Sequence, residues 1–123
     1  MKIIKKEEAL FVSKPEGTKV HYYLRDEYEI HHNEQASKTT QTWHHHEKIF
    51  ESLFMLEGEL TAEWKAGNEI KKQIVEAGDL IETENTSHTF TNHTEKTAKF
   101  LVIKQILTGE NKKEIFQKDK VND

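Results

Sequence analysis

The spacing of three histidines and one glutamate constrains this chain more than any other feature. His44 and His46 lie two positions apart, Glu51 follows five positions later, and His88 comes after a turn-rich stretch. In a β-strand over 42–46, the period of two places the side chains of His44 and His46 on one face. A short turn then brings Glu51 onto the neighbouring strand, and a later hairpin brings in His88. The pattern predicts strands that enclose a divalent metal site with nitrogen and oxygen ligands only.

Turn signals recur at short, regular intervals along the chain. Pro15-Glu16-Gly17, Gly67-Asn68 and Ala77-Gly78-Asp79 separate short runs of apolar and β-branched residues. No long amphipathic helical pattern lies between residues 60 and 104, and such spacing is typical of an antiparallel sandwich or barrel. A polar loop is expected over 33–38. The expected strands span 10–13, 19–24, 27–32, 39–46, 50–56, 59–65, 70–75, 80–84, 88–92 and 99–107.

The composition fits one small domain with a charged exterior. The chain has 123 residues, of which 34% are hydrophobic and 33% are charged, and this length suits one core. The net charge is −4 and the lysines form scattered pairs, so a nucleic-acid partner is not expected. The absence of cysteine excludes disulfides, thiolate ligands and a cysteine nucleophile. The N-terminal apolar runs are too short for a signal peptide or a membrane span, which predicts a cytoplasmic protein without a membrane partner.

Two motifs resemble the conserved motifs of the cupin superfamily. The first is His44-x-His46-x4-Glu51-x6-Gly58, and the second is Gly78-Asp79-x8-His88-x3-Asn92. The resemblance covers roughly residues 19–107. Two departures stand out: the first motif lacks its leading glycine, and residues 84–87 replace a loop that commonly carries a proline and a glycine in the family.

The resemblance implies an all-β, double-stranded β-helix (jelly-roll) cupin barrel as a single domain over residues 1–123. It also implies a site inside the barrel mouth, a small-molecule ligand or substrate, and often a homodimer. The charged segment 108–123 is expected to be a frayed short helix or a disordered tail. Ile115 and Phe116 are the residues of this segment that are able to dock on the barrel or on a partner.

Three neutral imidazoles and one carboxylate suit Fe(II), Mn(II), Ni(II), Cu(II) or Zn(II), with two positions open in six-coordinate geometry. His45 has the opposite parity and is excluded from the ligand set. Such a metal polarises an oxygen of the substrate or activates dioxygen or water, and Glu51 is the candidate catalytic base. The expected function is an oxygenase or isomerase type of enzyme. The alternatives are a non-catalytic binding or sensing module and a metal-free epimerase-like or structural protein.

The remaining pocket candidates follow from parity and residue type. Phe90, Met55 and Leu53 are expected in the core or on the pocket wall. Asn92 has the parity of His88, and it either contacts substrate, supports the site or caps a turn. The other histidines outside the motifs are expected at the surface, among them His31, His32 and His93.

Overall fold

The computed structural model describes residues 1–106 and 112–123. Over these ranges the chain forms twelve short strands, one α-helix and one 3-10 turn at Lys6–Glu8. Among these residues, no helix combines the length and the apolar character needed to cross a membrane. The elements are β1 Leu10–Ser13, β2 Thr18–Leu24, β3 Tyr28–Gln35, β4 Thr39–Thr40, β5 His44–His45, β6 Ile49–Glu57, β7 Glu59–Ala66, β8 Glu69–Glu76, β9 Leu80–Glu82, β10 His88–Asn92, β11 Ala98–Ile106, α1 Lys112–Lys118 and β12 Val121–Asn122.

Two antiparallel sheets face each other. One has the strand order β1-β2-β3-β11-β6-β9, and the other has the order β12-β5-β10-β7-β8, with β4 paired to β10. Neighbouring strands such as β3 and β11 are far apart in sequence, as a jelly roll requires. The all-β jelly roll expected from the sequence is confirmed.

On the two central strands β11 and β6 of the first sheet, the apolar inward side chains give way to a polar row. On β11 they run from Phe100 through Val102 to Lys104, and on β6 they run from Leu53 to Glu51. Each fully buried large apolar side chain contributes about 1.5–3 kcal/mol to folding. The apolar side chains of β6 and β11 pack against residues of the second sheet and form a core at one end of the barrel. The polar side chains Glu51 and Lys104 lie toward the other end. This core consists of Leu53, Met55, Leu60, Ala62, Val75, Phe90, Ala98, Phe100 and Val102.

The two largest differences from the expected strands concern β3 and the segment over 39–46. The third strand continues to Gln35 instead of giving way to a loop at residue 33, because Asn33 and Gln35 pair with β11. The side-chain Nε2 of Gln35 also donates to the carbonyl oxygen of Phe90 at 3.0 Å, which holds a polar residue inside the barrel. The expected strand over 39–46 is divided into β4 and β5.

The expected tail proves to be docked on the barrel. Ile115 of α1 is 8% exposed and packs with Ile49 and Ile106, and Phe116 lies against the same cluster. β12 pairs with β5. The expected short helix is present as α1, but the expectation that the segment is frayed or disordered is wrong for residues 112–123, because Ile115 and Phe116 dock on the barrel. Docking on the barrel is one of the two outcomes considered for these side chains. Residues 108–111 of that segment, and the end of the expected strand at 107, lie outside the described residues.

Gly58, which ends the first motif, sits in a left-handed turn between β6 and β7. Its φ is +77°, and a Cβ there would lie 3.1 Å from both Ala98 Cα and the Thr97 carbonyl oxygen. Gly67 has φ +65°, but a Cβ at Gly67 would have no atom within 4 Å, so Gly67 is a matched control. We expect Gly58→Ala to lower the free energy of unfolding by about 2 kcal/mol and Gly67→Ala by about 1 kcal/mol. Urea unfolding measures both, and equal losses would contradict the role of the close contact.

Candidate metal centre

The four predicted ligand residues come from both sheets and meet at the polar end of the barrel. His44 on β5 lies directly opposite His88 on β10 in the strand pairing. His46 follows β5 immediately, and Glu51 reaches across from β6 of the other sheet. All four residues are buried, with exposed fractions of 8% for His44, 2% for His46, 5% for Glu51 and 4% for His88. The topology thus unites residues that are up to 44 positions apart in the sequence.

The side chains lie within metal-binding range of one another. One ligand atom each from His44, His46 and Glu51 falls within 4.8 Å of the other two. His46 Nε2 is 3.1 Å from Glu51 Oε2, and His88 Nε2 is 3.5 Å from Glu51 Oε1. The ring centroids of His44 and His88 are 4.6 Å apart. The glutamate therefore stands between two imidazoles, with the third imidazole stacked edge-on beside them.

Backbone hydrogen bonds orient two of the imidazoles. His44 Nδ1 donates to the Thr42 carbonyl oxygen at 2.8 Å, and His88 Nδ1 donates to the Thr86 carbonyl oxygen at 2.7 Å. Because a carbonyl oxygen only accepts, Nδ1 carries the proton in each ring and Nε2 keeps its lone pair. Metal-binding histidines commonly use this arrangement. His88 Nε2 is buried and lacks a hydrogen-bond partner within the described part of the chain, so the donor set fits a metal ion.

The protonation states of the cluster also suit a metal. Burial would raise the pKa of Glu51, but the ring nitrogens of His46 and His88 beside its carboxylate and the charge of Lys104 hold that pKa well below its ordinary value. Burial lowers the pKa of His44 to about 4, against the opposing effect of its bond to Thr42. At neutral pH the site therefore offers an ionised carboxylate and a neutral imidazole, which are the forms that bind metal ions.

The altered loop before His88 still delivers that histidine to the cluster. Glu84 and Asn85 adopt left-handed backbone conformations, with φ of 50° and 59°. Asparagine tolerates this region better than most residues. The Asn85 side chain then donates from Nδ2 to the carbonyl oxygens of His46 at 2.7 Å and Ile49 at 3.2 Å. These bonds replace the rigidity that a proline and a glycine would provide, and they fix the loop to the strand ends that carry the other ligands.

Asp119, after α1, supports the cluster from outside. Its carboxylate accepts backbone N–H bonds from Glu47, Lys48 and Ile49 at 2.9, 3.0 and 3.3 Å. Its Oδ2 also lies 3.3 Å from Nδ1 of His46, an ion-pair distance at which the two atoms are not aligned for a hydrogen bond. The sequence does not point to Asp119, because a single aspartate in a charged segment carries no local signal.

The neighbouring histidine faces away, as its parity predicts. His45 Nδ1 is 3.0 Å from Asp123 Oδ2, on the side of β5 where β12 pairs. That bond raises the pKa of His45. The pKa of Asp123 is lowered by the hydrogen bond from the Ser87 hydroxyl and then by the bond to His45. His45 therefore belongs to the attachment of the C-terminal segment.

A cavity of about 320 Å³ opens beside His44, His46 and Glu51. Phe90 and Leu53 line it. Two other pocket candidates are placed elsewhere. Met55 is not one of the described residues that line the cavity. It is fully buried in the apolar core, with 0% exposure.

Asn92 is also absent from the described part of the cavity wall, because its side chain caps a turn. Its Nδ2 donates to the carbonyl oxygens of Gln35 at 3.1 Å and Lys96 at 2.8 Å. Its Oδ1 accepts the backbone N–H of Thr94 at 2.9 Å. Of the roles considered for Asn92, the structure matches the turn cap.

His31 was expected at the surface, and that expectation is wrong. It is 6% exposed and lines the cavity, because β3 points its side chain inward together with Glu29. His31 Nε2 lies 2.8 Å from Glu29 Oε1, and the ring of Tyr22 stands 4.4 Å away. Burial lowers the pKa of His31 despite the hydrogen bond to Glu29. His32 is partly buried on the other face of β3, and His93 is exposed as expected.

Several solved structures share this fold. A predicted oxalate decarboxylase from Thermotoga maritima superposes with a TM-score of 0.73 at 18% identity, covering 86% of this chain and 100% of that one. An oxalate oxidase gives 0.69 at 20% identity, covering 85% and 59%, and the Fe(II) form of HppE gives 0.68 at 16% identity, covering 85% and 60%. This chain spans only 59–61% of the oxalate oxidase chains. At such identities the likeness shows the shared fold.

The sequence itself matches one family pattern. That pattern, described as the Cupin domain, matches residues 28–104, which include all four clustered ligand candidates. No curated protein matches this chain. The matched region and the shared jelly roll lead to one conclusion: this chain belongs to the cupin family.

Proposed function

We propose that this protein is a metal-dependent enzyme acting on a small molecule. The observation that carries the proposal is the buried cluster of His44, His46 and Glu51, with His88 beside it, opening onto a cavity. A site that only stabilised the fold would use a closed ligand set, whereas a catalytic metal needs an open side. The expected homodimer and cytoplasmic location stay predictions.

The four side chains would hold the metal through the three Nε2 atoms and the Glu51 carboxylate. This ligand set suits Fe(II), Mn(II), Ni(II), Cu(II) or Zn(II). A bound divalent ion would supply Lewis-acid polarisation of a substrate oxygen or activation of dioxygen or water, which fits oxygenase or isomerase chemistry. The structural neighbours include an oxalate oxidase and a predicted oxalate decarboxylase, and their likeness to this chain is one of fold alone.

The Glu29–His31 pair supplies an acid–base group that the sequence analysis did not find. Glu29 accepts the proton of His31 Nε2, so the basic lone pair of the ring lies on Nδ1. Burial keeps the imidazole neutral at neutral pH. A neutral imidazole on the cavity wall is able to take a proton from a bound substrate, and Glu29 stabilises the cation that forms. We therefore assign proton transfer to His31 as well as to Glu51.

The test is turnover after reconstitution. Protein stripped by a chelator is loaded separately with each of the five metals and offered a panel of hydroxylated, carboxylated and enolisable compounds, with dioxygen uptake and product mass as readouts. We expect turnover with at least one metal, its loss in Glu51→Ala, and a decrease of about 100-fold in His31→Gln with the metal retained. His32→Gln, on the other face of β3, is the control. Failure of all five metals across the panel would contradict an enzymatic role.

A further inference from the structure

Three lysines from separate parts of the chain line the same cavity as the metal cluster. Lys104 comes from β11, Lys14 from the turn after β1, and Lys120 from the segment between α1 and β12. Their charges converge even though the protein as a whole carries a net charge of −4. Because like charges repel, the groups that neutralise these three ammonium groups decide what the cavity is able to bind.

Lys104 lies deepest of the three. It pairs across the sheet with Glu51 on one side and Glu29 on the other, and its side chain is 15% exposed. Its Nζ is 3.8 Å from Glu51 Oε2. The same glutamate already contacts His46 and His88, and in the proposed function it also binds the metal. Glu29, the second carboxylate beside Lys104, accepts from His31, so both neighbouring carboxylates also serve other partners. A bound anion would add a counter-charge in a buried position, where an unbalanced charge is costly.

Lys14 and Lys120 have no ion-pair partner within the described ranges. They lie close enough that the positive charge of Lys14 lowers the pKa of Lys120, after the larger effect of burial. Lys120 also lies within electrostatic reach of Glu16 and Glu51. Lys14 and Lys120, which are far apart in the sequence, thus both add positive charge to the cavity wall.

The carboxylates of the cavity are already engaged. Glu29 accepts from His31 at 2.8 Å. Glu16 Oε2 accepts the backbone N–H of Thr42 at 3.3 Å and its hydroxyl at 3.2 Å. Three carboxylates balance the three lysines in number, but the charge of a divalent metal would add to the positive side. With such a metal bound, a ligand would meet a cavity with an excess of about two positive charges.

We propose that Lys104, Lys14 and Lys120 form an anion-binding subsite, and that the substrate carries a carboxylate or a comparable oxyanion. Lys104 binds that group from the cavity floor, and the other two lysines hold it at the rim. A cavity of about 320 Å³ admits a compact molecule, at the small end of ligand pockets. The inference rests on the proposed function and adds to it a substrate class.

The experiment compares glycolate with its neutral isostere glycolamide by calorimetric titration of zinc-loaded protein. We expect glycolamide to bind at least about tenfold more weakly than glycolate, because it lacks the charge. Lys104→Met should weaken glycolate binding about tenfold, leave glycolamide binding unchanged and keep the zinc content of the wild type. Lys19→Met, an exposed lysine of β2, is the matched control.

A titration of metal-free protein separates this proposal from the proposed function. Glycolate binding that persists without zinc, and is lost in Lys104→Met, supports the subsite even if no enzymatic turnover is found. If Lys104→Met loses zinc or fails to fold, the glycolate affinity is measured instead in the double variant Lys14→Met/Lys120→Met, where it should be weaker than in the wild type. Unchanged glycolate affinity in that double variant, or equal affinities for glycolate and glycolamide, would overturn the proposal.

Discussion

A His46→Ala variant should hold no metal after dialysis, whereas the wild-type protein should hold about one ion per chain. His46 is the most buried of the clustered residues, and its Nε2 is 3.1 Å from Glu51 Oε2. Losing an outer-shell partner of a metal ligand typically costs about 10- to 100-fold in affinity, so losing a ligand should cost more. Inductively coupled plasma mass spectrometry on untagged protein measures the metal content directly.

Two further variants sharpen that measurement. His88→Ala should also lose metal, since His88 Nε2 lies 3.5 Å from Glu51 Oε1 and has no other partner among the described residues. His45→Ala is the control of opposite parity and should keep the metal. Metal retained in His88→Ala alone would reduce the site to His44, His46 and Glu51. A wild-type protein that stays metal-free after reconstitution would contradict the site itself.

An Asp119→Ala variant should be both less stable and poorer at holding metal. Its carboxylate accepts three backbone N–H bonds at the turn that follows His46, and each such bond contributes about 1 kcal/mol. We therefore expect the free energy of unfolding to fall by about 3 kcal/mol. Because Asp119 also lies beside His46 Nδ1, the metal affinity should fall by about 10- to 100-fold.

Urea unfolding and a competitive chelator titration measure the two effects of that change. Asp119→Asn keeps one acceptor oxygen and should recover part of the stability. Lys118→Ala is the control: it removes an exposed side chain next to Asp119, whose ion pair in the described structure is with Glu114. The free energy of unfolding and the metal affinity should both stay unchanged in this variant. A stability loss in Asp119→Ala with wild-type metal affinity would show that Asp119 anchors the C-terminal segment without orienting His46.

The sequence by itself determined the strand periodicity and, through it, the side of each strand on which the key residues lie. Parity alone separated His44 and His46 from His45, because a strand alternates its side chains between two faces. The turn residues placed most strands to within a few positions, since the conformation of Gly58 and Gly78 at positive φ is a local property. The jelly roll was implied by the resemblance of the two motifs to those of the cupin superfamily.

Only the tertiary structure decided which rows of residues meet across the sheets. His31 reads as a surface residue in a polar stretch, yet β3 lies between β2 and β11 and turns it toward the cavity. Lys104 and Asp119 join the site through pairings and contacts with residues more than fifty positions away. Such contacts depend on the register between strands and on the docking of Ile115. Both are set by packing between segments that are distant in the sequence, so they leave no local pattern in the chain.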